Sequence, residues 1–272
     1  MQAYAMDDLL QAVKGIAYQA GQAILDIYQS AQEQNIEYKR DGSPLTTADK
    51  IANEIIIQGL TKLTPNLPIL SEEGADIPYS ERVSWDCYWL VDPLDGTREF
   101  IQRTGDFTVN IALIEKQHSV LGVVYVPVSD VCYYAARTVG AFKEQTGSAA
   151  EKIRVCTDIP ESIRVVASRL HGKERLAPLV EKMPNHEIKY IGSSLKFCLI
   201  AEGAADIYPR MGLTSEWDSA AAQCIVEQAG GAVIDLYGLP LHYNVRDSLL
   251  NPYFLVVGNK QIDWLAYFPR QV

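Results

Sequence analysis

The sequence lacks any apolar run long enough to span a bilayer. Its longest, Val120 to Val128, is broken by Gly122 and Pro127, and a membrane helix needs eighteen or more apolar residues. It also lacks a leader pattern, because the N-terminal MQAYAMDDLL is acidic rather than basic and apolar. A cytoplasmic protein is expected, with loose attachment to the inner membrane surface left open. Cysteine is sparse and unpaired. Cys87, Cys132, Cys156, Cys198 and Cys224 stand singly with no CxxC among them, which excludes a disulfide framework or zinc ribbon and leaves reduced, mostly buried thiols. Histidine is scarcer still: His118, His171, His186 and His242 show no paired metal spacing. Positive charge is short as well. The chain carries 24 Lys and Arg against 34 Asp and Glu, a net charge of −10. Such a surface repels nucleic acid, so no nucleic-acid partner is expected. It would equally repel a small phosphorylated molecule, so any phosphate site must be cationic locally.

Against these absences stand 272 residues of ordinary globular composition, 48% hydrophobic and 21% charged. That length builds one large domain or two small ones. Residues 7–33 read as an amphipathic helix with Leu9, Val13, Ile16, Ala20, Ile24 and Ile27 on one face. A hairpin follows, Ile36–Lys39 and Pro44–Thr46 around Asp41-Gly42, then a helix capped by Thr47 that runs to Leu63. Short strands at Pro68–Leu70 and Tyr88–Val91 precede a meander of Phe107–Glu115, Val120–Val126 and Val131–Ala136, which predicts an antiparallel sheet. Beyond Gly147 strands alternate with helices: Arg164–Ala167, 172–182, Ile188–Ile191, 194–203, 217–229, Ala232–Asp235 and Phe254–Val257. The expected organisation is an α+β half over residues 1–150 and an α/β half over 151–272.

Four short segments carry candidate chemistry. In Asp92-Pro93-Leu94-Asp95-Gly96-Thr97 an apolar strand ends at Asp92, and Pro93 and Gly96 force a turn that brings Asp92 and Asp95 together. Two carboxylates suit a hard cation, and the amides of Gly96 and Thr97, at the start of a short helix, suit an anion. Ser71-Glu72-Glu73-Gly74 follows another short strand. Glu216-Trp217-Asp218-Ser219-Ala220-Ala221 and Thr46-Thr47-Ala48-Asp49-Lys50 each open a helix. Singly, each has a plain structural explanation: an Asp-Gly turn, a solvated acidic loop, or an aspartate complementing a helix dipole. Gathered in one cleft, these carboxylates would repel one another by roughly 4 kcal/mol per close pair at an effective dielectric near 20. Divalent cations remove that penalty, and all-oxygen ligands favour Mg²⁺, Ca²⁺ or Mn²⁺ over zinc.

Together SEEG at 71–74, DPLDGT at 92–97 and WDSAA at 217–221 resemble the inositol monophosphatase superfamily of magnesium-dependent, lithium-sensitive phosphatases. DPLDGTREFIQR (92–103), GDFTVNIAL (105–113), 122–127 and above all GSSLKFCLIAEGAADIYPR (192–210) resemble its 3′(2′),5′-bisphosphate nucleotidase branch, of the CysQ type. The resemblance covers nearly the whole chain and is loosest over 137–190. It implies a layered α-β-α-β-α sandwich and two or three Mg²⁺ ions. Glu72, Asp92 and the Leu94 carbonyl would hold one ion, with Thr97 a further candidate. Asp92, Asp95 and Asp218 would hold a second, and Glu72 would reach a third through water. Asp49 with Thr97 would activate the attacking water, and the Gly96 and Thr97 amides would cradle the phosphate.

The implied activity is hydrolysis of adenosine 3′,5′-bisphosphate to AMP and phosphate, with the sulfated precursor of that nucleotide as a second candidate. Hydrolysis of phosphate monoesters needs up to ~10²¹-fold acceleration, of which one general base supplies only about 10²–10⁴. Metal-assisted in-line attack by water, without a phosphoenzyme, is therefore expected. Ser193, Ser194, Lys196 and Arg210 offer hydroxyls and cations for a second phosphate or a ribose, and Arg169 and His171 are candidates for the base pocket. Two alternatives stand beside this reading. An inositol monophosphatase would keep the acidic site without needing a cation for a second phosphate. A non-catalytic phosphonucleotide-binding module would need fewer acids. A homodimer is compatible with all three.

Overall fold

The computed structural model describes residues 5–30, 36–38, 44–169 and 173–268. The chain opens with α1 (Met6–Gln29), whose Leu10, Val13, Ala17, Ala20 and Ile24 are buried along one stripe. The hairpin strands β1 (Ile36–Tyr38) and β2 (Pro44–Thr46) pair antiparallel; the Asp41-Gly42 turn lies outside the described residues. Next comes α2 (Thr47–Leu63). Its N-cap is Thr46 rather than the expected Thr47, because Thr46 alone is extended and can exchange bonds with Asp49 in a capping box.

Then follow β3 (Ile69–Ser71), the short helix α3 (Tyr79–Arg82), β4 (Cys87–Asp95) and α4 (Thr97–Ile101). The meander is β5 (Thr108–Glu115), β6 (His118–Val126), β7 (Val131–Ala136), β8 (Gly140–Gln145) and β9 (Glu151–Lys152). These strands form a seven-stranded sheet in the order β3-β4-β5-β6-β7-β8-β9, antiparallel except for the β3–β4 pair. Strand β4 does not stop at Asp92 as the sequence suggests. Its register against β5 slips between Asp92 and Asp95, where Pro93 has no N–H to give the ladder, and pairing resumes at Asp95.

The rest of the chain is β10 (Ile163–Ser168), α5 (Lys173–Val180), β11 (His186–Ile191), α6 (Leu195–Ala201), β12 (Ile207–Arg210), α7 (Glu216–Gln228), β13 (Ala232–Asp235) and β14 (Phe254–Val257). Its sheet runs β11-β10-β12-β14-β13, parallel on the β11 side and antiparallel on the β13 side. Pro209 argues against a strand at β12. The strand forms nonetheless: β12 pairs with β14 along its length, with Pro209 opposite Leu255, and meets β10 only at Ile207.

Alternation along the strands sorts side chains into layers. Trp89 and Val91 of β4 join the core under α1 and α2, while Tyr88 and Leu90 join the core that contains α6 and α7. That central core also takes Val166, Tyr208, Val233 and Phe254 from the five-stranded sheet. The outer face of the same sheet buries Val165, Ile207 and Leu255 against Leu176 and Val180 of α5 and Trp264. The layers are thus α1/α2, seven strands, α6/α7, five strands, α5. Among the described residues no helix is long and apolar enough to cross a membrane.

Contact between α7 and the large sheet is close because both surfaces are small. A Cβ added at Gly122 of β6 would sit 2.0 Å from the Ala221 carbonyl oxygen. Gly122→Ala must therefore push α7 off the sheet, and we expect about 3 kcal/mol of lost stability. A chemical-denaturation midpoint equal to wild type would show that the contact yields freely.

Candidate active site

Parallel pairing of β3 with β4 places the first two acids. Ser71 lies opposite Val91, so the next residues, Glu72 just past the end of β3 and Asp92 within β4, fall side by side. Glu72 opens a 3₁₀ turn, while Asp92 is 1% exposed and accepts the Leu94 amide at 3.0 Å. The third acid arrives from far along the chain. Asp218 sits at the third position of α7, where it accepts the Ser215 amide at 2.9 Å in a capping box. One carboxylate oxygen from each of Glu72, Asp92 and Asp218 lies within 4.8 Å of the other two. Burial, then Glu72, Asp95 and Asp218, push the Asp92 carboxyl well above its ordinary value. Burial, Asp95 and Glu72 do the same to Asp218. Hard oxygen donors held this close, and costly to ionise together, fit a hard divalent cation such as Mg²⁺.

Asp95 stands beside this trio rather than within it. Its Oδ2 accepts the Ser194 amide at 2.5 Å and the Asn110 side-chain amide at 3.5 Å. Burial raises its pKa, and the Lys196 ammonium opposes the rise. Gly96 then turns the chain with φ +96°, a conformation L side chains rarely adopt, and delivers Thr97 to the start of α4. The Thr97 hydroxyl donates to Asp49 Oδ1 at 3.1 Å and lies 3.4 Å from the Leu94 carbonyl oxygen. Asp49 is locked from its other side by the Thr46 amide at 2.7 Å and the Thr46 hydroxyl at 2.6 Å. Burial raises the Asp49 pKa, these bonds lower it, and Glu72 raises it again.

A cleft of about 340 Å³ opens beside these acids. Glu72, Asp95, Gly96, Thr97 and Asp218 line it together with Ser193, Ser194, Lys196 and Arg210. The cations differ in their freedom. Lys196 is 4% exposed, and its ammonium donates to the Ser193 carbonyl and, at 3.4 Å, to the Ile191 carbonyl. Burial, followed by Arg210, lowers its pKa to about 8. Arg210 is tied to the Thr214 hydroxyl at 2.5 Å and the Leu213 carbonyl at 2.8 Å. The Ser194 hydroxyl lies 2.9 Å from Thr108 Oγ1 and 2.8 Å from Asn110 Oδ1, so it braces the site from within. Arg169 pairs with Asp106 at 2.7 Å and does not line the cleft; His171 lies outside the described residues.

Sequence reasoning passed over Glu99, Ser168, Tyr208 and Trp217, all of which line the cleft. Glu99 is only 7% exposed, yet in sequence it looks like an ordinary helix acid. Tyr208 hid in the strand that Pro209 disguised. The WDSAA motif contained Trp217, but an aromatic beside an acid carries no signal of its own.

Comparison with known proteins agrees with this geometry. The family model for the inositol monophosphatase family matches residues 5–263. The chain belongs to the inositol monophosphatase family. It is 49% identical to a Salmonella typhimurium protein named 3′(2′),5′-bisphosphate nucleotidase CysQ over 91% of this chain and 99% of that one. A protein of the same name from Haemophilus influenzae is 39% identical over 96% and 97%. The crystal structure of CysQ from Bacteroides thetaiotaomicron, described as a bacterial member of the family, superposes with a TM-score of 0.82 at 39% identity, over 94% of this chain and 99% of that one. An inositol monophosphatase from Thermotoga maritima superposes at 0.77 with 25% identity, over 96% of each chain. Magnesium dependence is general in this family and suits the acidic trio.

The raised carboxylates make stability depend on pH. Unfolded aspartate titrates near 3.9, whereas burial favours the protonated forms of Asp92 and Asp218 in the fold. The folded chain thus holds more protons above pH 4, and metal-free stability falls as pH rises toward the raised values. In chelator the melting temperature should drop from pH 5 to pH 8, and Mg²⁺ should restore more at pH 8 than at pH 5. Asp92→Asn should flatten the drop. An unchanged slope in that variant would remove Asp92 as its source.

Proposed function

We propose that the protein is a magnesium-dependent phosphomonoesterase that converts adenosine 3′,5′-bisphosphate to AMP and phosphate. The observation that carries the proposal is the convergence of Glu72, Asp92 and Asp218 beside a cleft that the buried Lys196 also lines. Choice of substrate follows the relatives named as bisphosphate nucleotidases, which match over nine-tenths of the chain or more. The sulfated precursor of adenosine 3′,5′-bisphosphate is the second candidate substrate, and a cytoplasmic setting fits both.

In this reading Glu72, Asp92 and the Leu94 carbonyl would hold one Mg²⁺, with Thr97 a further candidate. Asp92, Asp95 and Asp218 would hold a second, and Glu72 would reach a third through water. Both bonds of Asp95 to the protein fall on Oδ2, which leaves Oδ1 as its contribution. Bound Mg²⁺ neutralises charge on the transferring phosphoryl group and makes water more acidic. The protein supplies the proton path. Thr97 donates to Asp49, so its oxygen can accept the proton of the attacking water as its own proton passes to Asp49. Burial of Asp49 makes it a better acceptor. The Gly96 and Thr97 amides orient the phosphate for in-line attack, and the P–O bond breaks as the nucleotide leaves.

Lys196 accounts for selection of a second phosphate. Two of its donors face the Ser193 and Ile191 carbonyls, which aims the ammonium and leaves a donor for a ligand. Ser193 and Ser194 shape the turn that holds it, and Arg210 adds charge at the mouth.

A phosphate-release assay over adenosine 3′,5′-bisphosphate, its sulfated form, AMP and inositol 1-phosphate, with and without Mg²⁺, tests the proposal. Bisphosphate turnover that requires Mg²⁺ is expected; equal or faster turnover of inositol phosphate would replace it with the inositol monophosphatase reading. In ¹⁸O water the label should enter phosphate and not AMP. Asp95→Asn should lower kcat by about 10²-fold or more while far-UV circular dichroism stays unchanged. Near-normal turnover would remove Asp95 from the metal set. Lys196→Ala should cost about 10-fold more in kcat/KM for the bisphosphate than for a monophosphate. Equal losses would exclude it from selection.

A further inference from the structure

Two of the three acids of the trio are held in different ways. Glu72 is tied to Asp92 through the β3–β4 ladder, which fixes spacing by hydrogen bonds. Asp218 arrives on α7, which meets the sheet mainly through apolar contacts of small residues such as Ala220, Ala221 and Gly122, with one weak bond from Cys224 Sγ to the Ala135 carbonyl at 3.7 Å near its far end. Apolar contact is non-directional and by itself leaves a helix free to slide along the sheet. Something directional must fix the start of α7 relative to the segment that follows Glu72.

The loop from Tyr243 to Asn251 does so. On one side it grips α7. The Glu216 amide donates to the Leu249 carbonyl at 2.8 Å, and the Asn251 amide donates to the Thr214 carbonyl at 2.8 Å. The Asn251 side chain donates to the Ser215 carbonyl and the Ser219 hydroxyl, each at 2.9 Å. The Asn244 amide donates to Glu216 Oε2 at 2.8 Å. On the other side the loop holds Arg82, the last residue of α3. Its guanidinium donates to Asn244 Oδ1 at 2.6 Å, to the Arg246 carbonyl at 3.1 Å and to the Asp247 carbonyl. Asn244 answers by donating to the Arg82 carbonyl at 2.5 Å, and Arg82 reaches back to the Ile77 carbonyl at 3.4 Å.

Arg82 and Glu216 are each 1% exposed, and Asn244 is 5% exposed. Neither Arg82 nor Asn244 lines the cleft. Burying an arginine and a glutamate apart would be strongly unfavourable. Here Asn244 bridges them, and its left-handed backbone, φ 56°, turns its amide toward one and its side chain toward the other. Asp218 lies two residues beyond Glu216 on the same helix.

We infer that Arg82, Asn244 and Glu216 are positioning residues that set the distance of Asp218 from Glu72, and so the Mg²⁺ affinity of the trio. The inference rests on the reading that the trio holds Mg²⁺. Mg²⁺ alone, titrated calorimetrically into the chelator-treated full chain, tests both. Wild-type protein that takes up no Mg²⁺ would overturn the trio reading and this inference with it. Given wild-type binding, Asn244→Gly removes both bonds to Arg82 while keeping the left-handed backbone and the amide that serves Glu216. It should weaken Mg²⁺ binding about 10-fold. The Mg²⁺ concentration for half-maximal phosphate release should rise by the same factor, with kcat at saturating Mg²⁺ restored. Glu216→Gln keeps an acceptor for the Asn244 amide and should retain most of the affinity; Glu216→Ala should not. Should Glu216→Ala fail to fold, Arg82→Lys, which keeps the charge but loses the fork, should shift affinity in the same direction. Variants that melt earlier yet bind Mg²⁺ with wild-type affinity would overturn the inference and leave the loop a stability element only.

Discussion

Like charges do not gather in a half-dry cleft unless something holds them there, and the architecture around Glu72, Asp92 and Asp218 follows from that constraint. A close pair repels by roughly 4 kcal/mol at an effective dielectric near 20, and burial adds its own cost to each ionised group. The fold meets this with backbone. Asp92 accepts the Leu94 amide, Asp218 the Ser215 amide, Asp49 the Thr46 amide and Asp95 the Ser194 amide. Four carboxylates thus have their orientation fixed by main-chain donors, which cannot swing away when a ligand arrives. A site fixed in advance loses little to reorganisation.

The layering serves the same end. Strand β4 is buried on both faces, against α1 and α2 on one side and α7 on the other. That double burial makes it rigid, and its register slip between Asp92 and Asp95 leaves Pro93 and Leu94 outside the ladder while the two aspartates stay paired on either side. Helix α7 lies between the two sheets, so its first turn reaches the cleft that they flank. Asp95 and Ser194 bond at that cleft, which joins the acids to the segment carrying Lys196. Changes in either half of the chain are therefore felt at one centre.

The cleft also holds the cations a phosphate needs. A chain of net charge −10 places Lys196 and Arg210 in the lining of the cleft, beside the acids. Burial lowers the Lys196 pKa to about 8, while Asp95, Glu99 and Asp218 support its charge. The ammonium therefore stays mostly protonated at neutral pH, desolvated and pointed inward, where an anion gains more from it than from a solvated surface lysine.

Much of this was legible from residues alone. Periodicity placed α1, α2 and the meander because burial of one face writes itself into the order of apolar residues. The acids at 72, 92, 95 and 218 were legible because each stands at a strand end or helix start beside a turn residue. What the sequence could not carry was distance. That Asp95 leans to Ser194, that the Ser194 hydroxyl bonds Asn110, and that Glu99 is buried at the cleft all depend on segments some eighty to a hundred residues apart. Strand β12 was hidden by Pro209, although it pairs with β14 along its length. Arg82 and Asn244 offered no local pattern, since a buried arginine and a buried glutamate bridged by one asparagine exist only after three remote segments meet. The sequence by itself determined most of the elements and the chemical type of the site, because these follow from local pattern and side-chain chemistry, while the layered sandwich was legible only through the family resemblance. Tertiary structure alone decided which acids share a cation-sized space and which residues hold them there, because long-range contact is set by packing and not by neighbourhood along the chain.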